Sequence, residues 1–197
     1  LTKSTQSTKS ATITVTPSYE NNGIICDGNA ETFTIVVNPS PEMENIDDIV
    51  LCNNEISSII EFTTPNTDGN TTYTWTNDNT SIGLSSSGNG DIPSFTAINL
   101  NPITEVATIT VTPTYENNGV VCIGDPQTFS ISVLSEIEIS GSTVDALDCN
   151  DPNSGNINIT VTGGSGVYDF LWSNGAITED LNNIGPGDYS VTVTDSA

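Results

Sequence analysis

The sequence predicts an all-β protein of β-sandwich repeats arranged in a rod. Three observations carry that expectation. Apolar and polar residues alternate with a period of two over most of the chain, as in strands with one buried and one wet face. Thr, Val, Ile, Tyr and Phe, which suit pleated strands, are punctuated by Asn, Gly, Asp and Pro, which suit turns. The chain also repeats itself. Residues 11–39 (ATITVTPSYENNGIICDGNAETFTIVVNP) and 107–135 (ATITVTPTYENNGVVCIGDPQTFSISVLS) align without a gap and share 18 of 29 residues at an offset of 96. A self-match at fixed offset marks a repeat array, and a period of this length is about one sandwich domain.

Each repeat copy opens on alternation: Ile13 and Val15 among Thr12, Thr14 and Thr16, and later Ile109 and Val111. Each closes on a second run, Phe33, Ile35 and Val37, then Phe129, Ile131 and Val133. Between them lie Asn22-Gly23 and Asn118-Gly119, strong turn signals. Each copy therefore reads as two strands joined by a turn. The stretch 40–106 supplies IVLCN, IIEFTT and TTYTWTN, strand signals at sandwich spacing. Trp75 sits mid-strand with Tyr73 on the same face, which fits core packing and the buried Trp of immunoglobulin-like sandwiches. From about residue 136 the pattern changes. Ile157, Ile159 and Val161, then Tyr168, Phe170 and Trp172, then Tyr189, Val191 and Val193 form short strands between Gly-rich turns. The expected division is residues 1–39 as the closing part of a truncated repeat, 40–135 as a complete repeat and 136–197 as a smaller, C-terminally truncated module. The junctions are short, and Pro39 and Pro41 stiffen the first, so the modules should form a semi-rigid rod.

Charge narrows the function. Of 197 residues, 25 are acidic and two are basic, with no His, for a net charge of −23. Phosphate backbones need cations, so nucleic acid is excluded as a partner. No run approaches the ~20 apolar residues of a membrane helix, so membrane insertion is not expected. Catalysis is not expected either. Without His there is no Ser-His-Asp or Cys-His arrangement, and no phosphate-cradling glycine motif opens a helix. The acidity instead suits solubility and repulsion between neighbouring molecules.

Four cysteines remain: Cys26, Cys52, Cys122 and Cys149. No Cys-x-x-Cys occurs, so zinc is not expected, and disulfides would imply an extracellular setting. Cys52 and Cys122 open and close the complete repeat. A bond between them is the expectation, and its loop of about 70 residues would contribute roughly 4 kcal/mol. Cys26 and Cys149 would then pair with residues outside the sequence. No cofactor is required. If calcium binds, Asp148 and Asp151 are the candidate ligands, at a module entrance; the competing role of such Asx clusters is turn formation. Tyr115, with its counterpart Tyr19, is the candidate glycan contact, against packing of the ring over its own turn.

Residues 71–133 (TTYTWTN through VVCIGDPQTFSISV) resemble PKD-like repeats of large Bacteroidetes surface proteins. Residues 155–197 resemble the SprB repeat in their GG-x-G-x-Y, WSNG and Pro-Gly-x-Tyr-x-Val-x-Val-x-Asp elements. Together they resemble SprB-type gliding-motility adhesins. The resemblance implies a cell-surface protein exported by the type IX secretion system. Its implied partners are neighbouring repeats, the secretion and gliding machinery, and an extracellular surface or polysaccharide. It also implies a Gly-Cys after residue 197 as the partner of Cys149, and no catalytic residues. Carbohydrate-binding or passive spacer modules are the alternative.

Overall fold

A computed structural model describes residues 6–144 and 153–196. The described residues are all β apart from one 3₁₀ turn at Thr80–Ile82, and none forms a helix long and apolar enough to cross a membrane. The first repeat copy forms β1 (Lys9–Val15), β2 (Ser18–Asn21), β3 (Ile24–Asp27) and β4 (Glu31–Val37). β1 pairs antiparallel with β4, from Lys9 opposite Val37 to Val15 opposite Glu31. The connection between them is itself a hairpin, β2 on β3, where the sequence suggested only a turn. Its tip is Asn22-Gly23, with φ of 50° and 79°. Positive φ at both central residues is the type I′ geometry that Asn-Gly favours.

The central unit comprises β5 (Ile49–Leu51), β6 (Asn70–Asn77), β7 (Ser87–Asn89), β8 (Glu105–Asn117), β9 (Val120–Ile123) and β10 (Gln127–Val133). These form one sheet in the order β5-β10-β8-β6-β7, with β9 paired to the far end of β8. Everything is antiparallel except β5 on β10. The repeat reproduces itself in three dimensions. Ala11 faces Ile35 as Ala107 faces Ile131, and Gly28 N–H donates to Pro17 O as Gly124 N–H donates to Pro113 O. The second tip, Asn118-Gly119, has φ of 51° and 77°.

One face of this sheet is buried. Trp75, Ile109, Val111, Phe129, Ile131 and Val133 point into the core. The covering layer is a pair of extended segments joined by bridges between Ile56 and Thr96 and between Ile60 and Ile92. It contributes Ile60, Phe62, Ile92 and Ala97, and the 3₁₀ turn and the loop after it add Ile82 and Leu84. Each apolar side chain fully buried in this way adds about 1.5–3 kcal/mol. Trp75 is buried as the alternation predicted, and it faces Gly88 across β6 and β7, where a Cβ would collide with the indole.

The last module has β11 (Glu138–Val144), β12 (Gly155–Thr162), β13 (Tyr168–Trp172), β14 (Leu181–Ile184) and β15 (Val191–Asp195). They form two small sheets, β11-β12-β14 and β13-β15. Trp172 and Leu181 are its buried apolar anchors, and the Trp172 indole N–H donates to Thr178 O at 2.8 Å.

Candidate functional site: the repeat faces and the module junction

The expected bond between Cys52 and Cys122 does not form in this fold. Cys52 follows β5, beside the end of the sheet where Leu51 pairs with Val133 and Val133 with Glu105. Cys122 lies in β9 opposite Tyr115. From Glu105 to Tyr115 is most of β8, about 33 Å at ~3.3 Å per residue. A disulfide needs Cα atoms within about 7 Å. Cys26, Cys52 and Cys122 are all free thiols. Cys149, Asp148 and Asp151 lie outside the described residues, and with them the calcium expectation.

Tyr115 is not a glycan contact, because its ring is fully buried. Its hydroxyl donates to Thr67 O at 3.0 Å, and the ring lies over Gly69, where a Cβ would overlap it. A ring with no accessible face cannot stack on a sugar. Tyr19, its repeat counterpart, is exposed.

Several carboxylates accept hydrogen bonds from the chain itself. Asp48 accepts Ser130 N–H at 2.7 Å, just ahead of where β5 begins, and Asp78 accepts Thr108 N–H at 2.6 Å. Asp91 accepts Phe62 N–H and Asp180 accepts Ile159 N–H. Three of these donors lie in strands, Ser130, Thr108 and Ile159, and Phe62 lies in the covering layer, so each carboxylate satisfies a backbone N–H. The Ser130 backbone N–H holds the Asp48 carboxyl below its usual range. Glu105 accepts the side-chain amides of Asn79 at 2.7 Å and Asn101 at 2.5 Å, and the Ser81 hydroxyl at 3.2 Å. The Asn79 amide is the main cause of its lowered pKa. Among the described residues no group of three His, Cys, Asp or Glu could hold a metal ion. Sequence reading missed the Glu105 cluster, because its members lie 4 to 26 residues apart and meet only when the strands pair.

At the junction, the glycine pair that the sequence marked as a turn makes the connection. Gly164 N–H donates to Ser135 O at 3.0 Å, and the Ser135 hydroxyl donates to Pro102 O. Asn99 anchors the exit strand, its amide donating to Val133 O and Ile103 O, both at 2.8 Å. Gly163 has φ +88°, and a Cβ there would overlap the Glu136 carbonyl oxygen. Only glycine permits both that backbone and that approach. Behind the pair, Asp195 accepts both the N–H and the hydroxyl of Ser165, and the Tyr168 hydroxyl donates to Gly163 O. The surface between the two units is a polar cleft of about 220 Å³, lined by Asn53, Asn99, Asn101, Glu136 and Glu138. That is smaller and more polar than ordinary ligand pockets.

No curated protein matches the chain. Residues 141–177 match the SprB repeat family, about a fifth of the chain. The matched span contains the Gly163-Gly164 pair, Tyr168 and the Trp172–Gly175 loop, and ends before the Pro186-Gly187 segment. This stretch resembles SprB-type adhesin repeats, as its motifs predicted.

Proposed function

We propose that the chain is a structural and adhesive repeat segment of a large cell-surface adhesin, serving gliding motility and surface attachment and exported by the type IX system. The observation that carries this reading is the SprB-repeat match at residues 141–177, a repeat type of cell-surface adhesins. The partners are neighbouring repeats, the secretion and gliding machinery, and an extracellular surface or polysaccharide. The role is mechanical, and no catalytic residue or cofactor enters it.

The central unit suits tension. Its first strand, β5, runs parallel to its last, β10, along Ile49–Leu51 and Ile131–Val133, and Leu134 N–H extends the contact to Leu51 O at 2.9 Å. Pulling the two ends of the unit apart slides these strands lengthwise. The bonds between them must then fail together, not one at a time. Hydrogen bonds of about 1 kcal/mol each resist far more in that geometry than when peeled singly.

Deleting the coding segment in the native host tests the proposal. Expected results are loss of surface labelling by an antibody against residues 153–196 and reduced spreading on a solid surface. Undiminished spreading, or an antigen confined to the cell interior, would contradict it.

A further inference from the structure

The two repeat copies have the same pairing register and turn geometry, with β8 unbroken where the first copy divides into β1 and β2, yet opposite surroundings. Phe129 and Ile131 are 5% and 0% exposed, whereas their counterparts Phe33 and Ile35 are 53% and 48% exposed. Val15 and Val37 are likewise bare where Val111 and Val133 are buried. Single exposed apolar residues are ordinary, but a contiguous apolar sheet face marks a docking surface. The covered copy says what covers such a face.

We infer that the β1–β4 face is the acceptor half of a two-part sandwich. Its occupant is a polypeptide segment built like residues 40–96, joined ahead of it in the same chain. The recognition chemistry follows by shifting each contact of the covered copy by 96 residues. One strand of the occupant, the counterpart of β5, lies parallel to β4 along Ile35–Val37. Another, the counterpart of β6, lies antiparallel to β1 and β2 from Ile13 to Glu20. Its interior positions are apolar, as Trp75, Ile60 and Ile92 are in the covered copy. The occupant must carry glycine where Gly69 meets Tyr115, with a carbonyl two residues earlier, as at Thr67. Tyr19, 68% exposed, then swings into the seat that Tyr115 fills. Strand addition along both edges gives the backbone bonds, and the alternate side chains give the specificity.

This rests on the repeat organisation of the proposed adhesin and not on adhesion, so its test has no adhesive readout. Residues 40–96 are grafted ahead of Leu1 of the full chain, which preserves the 96-residue period. Amide hydrogen exchange is then read separately in 11–15 and 31–37, with the resident 107–133 segments as internal reference. The expected result is slowing of exchange in 11–15 and 31–37 by at least about 100-fold. Ile35→Asp, or leucine in place of the graft's copy of Gly69, should abolish it. Exchange as fast as in the ungrafted chain would overturn the inference, and so would protection that survives Ile35→Asp.

Discussion

Ile35 and Ile131 occupy the same place in the same two strands, each opposite an alanine, and differ only in what lies above them. Their substitutions should therefore separate burial from strand pairing. Ile131→Ala empties a fully buried site and should cost about 2–5 kcal/mol. Ile35→Ala should change stability by no more than about 0.5 kcal/mol. Urea denaturation followed by Trp75 fluorescence measures both. Glu105 offers a test of sign. Its hydrogen bonds depress the native pKa, so its stabilisation is complete above the ordinary carboxylate range. It is lost as pH falls through the depressed native value. Glu105→Gln should lower the neutral plateau of a melting-temperature profile and flatten its acid limb. An unchanged limb would show that the amide cluster does not favour the charged form.

The strands themselves were legible because alternation records which face is wet. The inward set Phe129, Ile131 and Val133 and the buried Trp75 could be read directly, as could the Asn-Gly hairpin tips. What could not be read was which strand ends meet. Periodicity puts Cys26 and Cys122 in equivalent positions, but says nothing of the length of β8, which holds Cys52 and Cys122 apart. Tyr115 was misread for a similar reason. Its seat is Gly69, 46 residues earlier, and no local spacing connects them. The glycine pair was recognised as a turn, but its docking role depends on Glu136, which folding brings against it. Gly163 and Gly166 separate the two roles. Both have positive φ, near +88° and +85°, but only at Gly163 does a Cβ meet backbone. Both changes to Ala are strained, by about 1 kcal/mol or more. Gly163→Ala should cost clearly more and broaden the angle between the units, as small-angle scattering would report. Equal effects would mean that the Glu136 contact does not hold the junction. Leu134→Pro acts on the parallel strand pair. It removes the N–H that reaches Leu51 O, so it should lower the mechanical unfolding force more than its thermal effect suggests.

Taken whole, the chain is a series of β units, and under the proposed function their resistance to pulling should depend on the direction of load. Acidic side chains outnumber basic ones by 25 to two, and a net charge of −23 would oppose close approach of like copies. The free thiols make a further difference at this scale. A Cys52–Cys122 bond would lock most of the central unit against extension, whereas free cysteines let it unravel fully. Intact mass under non-reducing conditions should show no such bond, and Cys52→Ser with Cys122→Ser should leave the melting temperature unchanged. Single-molecule pulling between the two ends of the chain measures the proposed resistance to tension. The account predicts one high-force event, from shear of β5 against β10, with a contour gain of about 30 nm for the freed central unit. Low-force, gradual extension would contradict the shear geometry, and a gain of only about 5 nm would mean that Cys52 and Cys122 are bonded after all.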